Sequence, residues 1–223
     1  ELLTEIVVHL AAHPGGVHPA VLAAAVWPRG VGDDVRDAAV ARARDWLGAA
    51  EDGSHRLRTT ADGRLGIHDV AVDLDILHAL LRRSRGERDP VTEATVLRRA
   101  LRLVRGEVLQ PRRASAFTWL TGEPLEQRTV DLVTDAAHRL AALDLDGDPP
   151  AASEAARAGL RCWPAADVCW QDLLRAELRI GGRPAVAEAA EEMRRTYADL
   201  GVDPSPETLA LLQHLDPGLV GSR

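Results

Sequence analysis

The sequence predicts a mainly α-helical protein, and three observations support that fold class. Only 3% of its 223 residues are aromatic, whereas β-sandwiches and barrels rely on aromatic and β-branched side chains. Ala, Leu, Arg and Glu, which favour helices, are used throughout. The last third also repeats itself with a period of 34 residues, which is typical of paired helices.

The first 75 residues predict three helices followed by a β-hairpin. Asp33 or Asp34 is expected to cap the third helix, and a tight turn at 61–63 is expected to join the two strands. The helices are expected over 2–12, 19–27 and 33–47, and the strands over 55–60 and 64–68. This order is the outline of a winged helix, so the sequence predicts a degenerate winged helix-turn-helix domain at 1–75.

Residues 76–223 predict a second, all-α domain resembling tetratricopeptide repeats. Helices are expected over 73–84, about 92–105, and from about 124 to 215, with an irregular segment at 106–124. A shift of 34 residues places GDPPAASEAA (147–156) on GGRPAVAEAA (181–190). Gly and Pro mark a turn in each copy, and the small Ala residues let the helix that follows pack closely. The concave face of such stacked helices is expected to bind a partner protein.

Charge is unevenly distributed along the chain, whose net charge is −7 and whose basic residues are all Arg. Residues 1–75 hold 12 acidic and 7 basic side chains, which disfavours binding to DNA. The segment 82–113 holds ten Arg against four acidic residues and predicts a surface for an anionic nucleotide or an acidic partner. A solvated face neutralised by nearby carboxylates is the alternative. The candidate ligands are Arg82, Arg83, Arg85, Arg98, Arg102 and Arg105, followed by Arg112 and Arg113.

In that segment, Arg98, Arg102 and Arg105 are expected to share one helix face. Elsewhere the sequence contains no Gly-rich phosphate loop, no HExxH, no GxSxG and no CxxC, so neither an enzyme nor a cofactor is predicted. His9 and His13 are four residues apart and His18 follows, but a partly exposed helix face is favoured there over a metal site.

Several stretches of the chain resemble those of a known family. ADLGVDPSPETL (198–209) and VDLDILHALL (72–81) resemble the closing signature and the junction into the helical part of the bacterial transcriptional activator domain, which belongs to the actinobacterial antibiotic regulatory proteins. Further similar stretches are GVHPAVLAAAVWP (16–28), VRDAAVARARDWLG (35–48), RLVRGEVL (102–109) and LEQRTVDLV (125–133). The resemblance implies a winged helix, a helical activator domain and a regulatory function.

The resemblance also implies a recognition helix at 35–48, in which Arg36, Arg42 and Arg44 would contact DNA. This sequence departs from the family there, because Asp33, Asp34, Asp37 and Asp45 place four carboxylates where phosphates would lie. DNA binding is therefore expected to be weak or absent. The winged helix would then serve as a packed scaffold or a dimerisation surface.

Three classes of function stay open at this point: a protein-interaction module, a DNA-binding activator and a sensor of an anionic nucleotide. Membrane insertion is not expected, because no apolar run approaches the roughly 20 residues that span a bilayer. Membrane-anchored actinobacterial proteins resemble this combination at their cytosolic ends. A cytoplasmic location is expected, either alone or as the cytosolic part of such a protein.

Overall fold

The computed structural model describes residues 1–110 and 116–216, which form two compact units. Unit 1 contains Glu1–Val72 together with residues 116–126, and unit 2 contains Asp73–Gln110 together with residues 127–216. The mainly α fold class is confirmed. The domain boundary expected after residue 75 stays a prediction. No helix in the described ranges is long and apolar enough to cross a membrane.

The predicted helices and strands of unit 1 are present at nearly the predicted positions. They are α1 (Leu2–Ala12), α2 (Pro19–Val26), α3 (Asp33–Leu47), β1 (Leu57–Thr59) and β2 (Leu65–Ile67). Leu57 pairs with Ile67 and Thr59 with Leu65 in an antiparallel hairpin, and Gly63 supplies the positive φ of its turn. The core of the unit consists of Ile6, Leu10, Val17, Leu22, Val26, Ala39, Val40, Ala43, Leu57 and Leu65.

The start of α3 differs from the prediction. Gly32 occupies the N-cap position and no side chain caps the helix, so the expected capping by Asp33 or Asp34 is wrong. Both carboxylates lie inside the first turn instead. There they complement the positive end of the helix dipole, and Asp33 pairs with Arg36.

Residues 116–126 belong to unit 1, although about forty residues of unit 2 precede them in the chain. They include a short 3-10 helix, Thr118–Gly122, in the stretch that the sequence predicts to be irregular. The backbone N–H of Phe117 donates a hydrogen bond of 2.7 Å to Oε1 of Glu5 in α1. Burial raises the pKa of the Glu5 carboxyl above its usual value. The hydrogen bond from Phe117 partly offsets this increase.

Unit 2 is all-helical in its described part. Its helices are α4 (Asp73–Gly86), α5 (Pro90–Leu101), α6 (Leu125–Asp144, which begins at the edge of unit 1), α7 (Pro149–Cys162), α8 (Asp167–Leu200) and α9 (Pro206–Leu215). Leu77 and Leu81 of α4 share a core with Leu97 and Leu101 of α5. Asp167 accepts hydrogen bonds from the Ser205 N–H (3.0 Å) and from Thr208 Oγ1 (2.7 Å), so it holds the start of α9.

Helix α5 is shorter than predicted, and this corrects one expectation. It ends at Leu101 with Arg102 as its C-cap. The chain then turns through two backbone hydrogen bonds. The Leu103 N–H donates to the Ala100 carbonyl oxygen, and the Val104 N–H donates to the Leu101 carbonyl oxygen. Arg98, Arg102 and Arg105 therefore do not share a helix face. Partly buried Leu103 and Val104 pack against the hydrophobic core, which explains why the chain turns there.

Both copies of the 34-residue repeat correspond to helices in the structure. Helix α7 begins at Pro149, and the second copy corresponds to the part of α8 that follows Gly182. Gly182 has a φ of 67° inside this 34-residue helix, so the turn expected at 181–184 is a kink. Pro184 lacks an N–H group and reinforces the break. At Gly159 of α7 the neighbouring helices α6 and α8 approach closely.

Candidate functional site

The predicted DNA-contacting arginines lie on α3, and Arg36 is already neutralised there. Its guanidinium contacts the Asp33 carboxylate at 2.6 Å and the Asp37 carboxylate at 2.8 Å. The hydrogen bond that the Arg36 guanidinium donates to Asp37 is the largest cause of a raised Arg36 pKa. Only 14% of the Arg36 side chain is exposed, so little of its charge faces solvent.

Arg44 and Arg42 differ in what they contact. Arg44 Nε donates a hydrogen bond of 3.0 Å to the carbonyl oxygen of Leu57, which ties α3 to β1. Arg42 is exposed, and no ion pair to it occurs within the described ranges. Asp34, Asp45 and Trp46 are also exposed on α3. The exposed fraction of Trp46 is 58%. Arg42 is thus the one member of the predicted set with both exposure and an unpaired charge.

The arginines predicted to bind an anion lie in unit 2, and half of those in the described part pair with carboxylates. Arg98 contacts Asp144 at 2.8 Å, Arg105 contacts Asp73 at 3.7 Å and Arg83 contacts Glu87 at 3.6 Å. Arg82, Arg85 and Arg102 are exposed. Arg112 and Arg113 lie outside the described residues. Binding of an anionic nucleotide or an acidic partner by this segment stays a prediction.

A groove of about 610 Å³ lies on α7 and α8 of unit 2, and its lining holds more acidic than basic side chains. It is lined by Arg157, Glu177, Ala185, Ala187, Glu188, Ala189, Glu191, Glu192 and Arg195. Arg157 contacts Glu192 at 3.1 Å and Glu177 at 3.6 Å. Glu188 and Glu191 are exposed along the part of α8 that follows the kink. Four carboxylates against two guanidiniums leave this groove with a negative charge.

The sequence contains a partial signal for this groove. The repeat predicts that α7 and the second half of α8 are equivalent helices, each with small Ala residues. It does not show which acidic side chains line the space beside them, because Arg157 and Glu192 lie 35 residues apart in the sequence. Only the packing of α7 against α8 brings them together.

A second cluster, in unit 1, brings His9 and His13 close to Glu123. One donor atom of each side chain lies within 4.8 Å of the donor atoms of the other two. Burial, together with the nearby His13, lowers the pKa of His9 to about 4. His18 is not part of the cluster, because its ring accepts a hydrogen bond from the Ala20 N–H and caps α2. Glu123 has no signal in the sequence, since it lies 110 residues from His13.

Two thiols are buried in unit 2. Cys162 and Cys169 are free and buried, and burial raises their pKa values to about 11 and about 12. Both are therefore protonated at neutral pH, which disfavours metal binding or nucleophilic chemistry by either.

Comparison with known proteins identifies one family. The family described as "Bacterial transcriptional activator domain" matches residues 72–215, which is more than half of the chain. No curated protein matches the sequence.

Proposed function

Because the chain belongs to the bacterial transcriptional activator domain family, we propose that it is a non-enzymatic regulatory module of a transcription or signalling protein. In this proposal, unit 2 binds a partner protein through stacked, tetratricopeptide-like helices. The two copies of the 34-residue repeat support this, because α7 and the part of α8 after Gly182 each share a hydrophobic core with the helix before them. The free, buried cysteines fit a reducing, cytoplasmic location.

The acidic groove on α7 and α8 is the observation that carries the proposal. Three of its lining residues are alanines, whose small side chains leave the backbone of α8 within reach of a partner's side chain. The exposed Glu188 and Glu191 lie beside the Arg157–Glu192 ion pair. Since the groove carries excess negative charge, it suits a partner segment rich in Lys or Arg.

Charge reversal in the groove tests this function. The chain carrying Glu188→Lys and Glu191→Lys is compared with the unaltered chain by cross-linking in a lysate of the source cells, followed by mass spectrometry. We expect one protein to be cross-linked through a basic segment by the unaltered chain and lost with the double variant. A matched control reverses Asp135 and Asp199, two exposed carboxylates of unit 2 outside the groove lining.

The control variant should retain the cross-linked partner, because the total charge change is the same as in the groove variant. Loss of the partner from both variants would show that net charge, and not the groove, determines binding. A partner that survives reversal of the groove would refute this mode of interaction.

We also propose that unit 1 is a winged-helix-type scaffold that binds DNA weakly. The pairing of Arg36 with two aspartates and the use of Arg44 inside the unit leave Arg42 as the exposed cation of α3. One phosphate contact gives a slope of about −0.9 for the logarithm of affinity against the logarithm of salt concentration. Fluorescence anisotropy with duplex DNA should therefore show a slope near −1 or no binding.

A second experiment removes the two aspartates that pair with Arg36. Asp33→Asn with Asp37→Asn releases Arg36, so affinity for duplex DNA and its salt dependence should both increase. Glu51→Gln with Asp52→Asn, which alters two exposed carboxylates after α3, serves as the charge-matched control. Tight binding by the unaltered chain, with a slope of −4 or steeper on the scale of about −0.9 per phosphate, would contradict the proposal.

A further inference from the structure

We propose that His9, His13 and Glu123 form a binding site for a divalent transition-metal ion of the Zn²⁺ class. His9 lies on α1, His13 is the C-cap of that helix, and Glu123 directly follows the 3-10 helix Thr118–Gly122. All three residues belong to unit 1. The metal site is independent of the partner-binding function proposed for unit 2.

The spacing of the donor atoms fits a tetrahedral ion. Ligands at about 2.0–2.2 Å from Zn²⁺ lie roughly 3.4 Å from one another. Nε2 of His13 and Oε1 of Glu123 are 3.1 Å apart, and the donor atoms of all three residues lie within 4.8 Å. Closing the remaining gap requires movements of roughly one ångström for such bond lengths. The His13 and Glu123 side chains, 33% and 34% exposed, have room for them.

A backbone hydrogen bond determines which nitrogen of His13 faces the ion. Nδ1 of His13 lies 2.7 Å from the carbonyl oxygen of His9, which can only accept, so Nδ1 carries a hydrogen. In the neutral ring, the lone pair of Nε2 then faces the Glu123 carboxylate. Two acceptors at this distance require a proton or a cation between them. A hydrogen bond from the other ring nitrogen to a backbone carbonyl is also the usual support of a metal-binding histidine.

His9 supplies the second observation that points to a ligand. Its exposed fraction is 3%, and its Nδ1 is buried without a hydrogen-bond partner in the described part of the chain. An unpartnered polar atom is costly in a folded protein, and an ion held by Nδ1 would remove that cost. The ring stacks on His13, with centroids 4.5 Å apart, and meets the edge of Trp119 at 4.7 Å. These contacts pack the His9 ring between His13 and Trp119.

The donor set selects the kind of ion. Two imidazoles and one carboxylate suit Zn²⁺ or Co²⁺, whereas Mg²⁺ and Ca²⁺ prefer oxygen ligands alone. Three protein ligands leave a fourth position for water. Because α1 and residues 116–126 lie far apart in the sequence, an ion bound here would join two distant parts of unit 1. Binding should therefore raise the stability of that unit.

The test uses the full chain, stripped of metal with a chelator and titrated with ZnCl₂ by calorimetry. We expect one Zn²⁺ per chain, a higher melting temperature in Zn²⁺ but not in Mg²⁺, and the absorption bands of tetrahedral Co²⁺. Glu123→Gln and His13→Gln should each weaken Zn²⁺ binding at least about tenfold. Glu51→Gln and His214→Gln change exposed residues of the same types outside the cluster and should bind Zn²⁺ like the unaltered chain.

Both test residues are partly exposed, so these variants are expected to fold, and circular dichroism of each variant checks this. If His13 and Glu123 form only an ion pair, Glu123→Gln lowers the melting temperature while the unaltered chain shows no saturable Zn²⁺ binding. That result overturns the proposal. Zn²⁺ binding of unchanged affinity in Glu123→Gln and His13→Gln also overturns it, because the ion would then lie elsewhere.

Discussion

Replacing Gly159 with Ala should destabilise unit 2, although Ala is the better helix former. A Cβ atom at this position would overlap the Sγ atom of Cys169 in α8 and stand 2.9 Å from the Cβ atom of Ala137 in α6. Overpacking of this kind typically costs 1–3 kcal/mol, and two simultaneous overlaps place the cost near 3 kcal/mol. Ala gains about 1 kcal/mol over Gly in a helix. The free energy of unfolding should therefore fall by about 2 kcal/mol.

Urea unfolding followed by far-ultraviolet circular dichroism measures this change. Gly86→Ala is the control, because Gly86 is the last residue of α4 and no atom lies within 4 Å of its added Cβ. That variant should be as stable as the unaltered chain or slightly more stable. Cys169→Ala removes the overlapped sulfur, so in combination with Gly159→Ala it should cost less than the sum of the two single changes. A Gly159→Ala variant as stable as Gly86→Ala would refute the close packing of α7 against α6 and α8.

Three further predictions follow from buried groups. Burial raises the pKa values of Cys162 and Cys169 to about 11 and 12, so iodoacetamide at pH 7 should label both thiols only after the chain is unfolded. Burial opposes ionisation of Asp167, but its hydrogen bonds outweigh that effect and hold its pKa below the usual 3.8. Its stabilising effect is therefore present above pH 3.8 and lost as the pH falls through the lowered pKa. Asp167→Asn should cost about 1–2 kcal/mol at pH 7, and urea titrations should show that cost shrinking at acid pH. Glu5→Ala leaves the Phe117 N–H without its acceptor and should lower the free energy of unfolding by about 1–3 kcal/mol, whereas Glu5→Gln should cost less in the same assay.

Pro19 begins α2 as predicted, because a missing N–H carries no penalty in the first turn of a helix. Pro90, Pro149 and Pro206 begin α5, α7 and α9 in the same way, although the sequence predicted α5 from about 92 and one helical stretch from about 124 to 215. The φ of Gly63 completes the hairpin turn for a similar local reason. The fold class and the order of elements therefore followed from the residues themselves.

Tertiary packing determines the end of α5 and the contact between Glu123 and His13, which local sequence patterns did not predict. The end of α5 at Leu101 depends on the burial of Leu103 and Val104, which only the finished core of unit 2 explains. The prediction that helical continuity places Arg105 beside Arg98 failed for that reason. Glu123 joins His13 because residues 116–126 return to unit 1, and no local pattern reports a contact across 110 residues.

The return of residues 116–126 to unit 1 has a consequence for protein synthesis. Unit 1 begins with Glu1, but its described part ends only at Glu126, so its first 72 residues leave the ribosome well before their last packing partners. At roughly 5–20 residues per second, that interval lasts a few seconds. During it, the α1 surface around His9 and Glu5 has neither Trp119 nor Phe117 against it. Completion of the first unit must therefore wait until α4 and α5 of the second have been made.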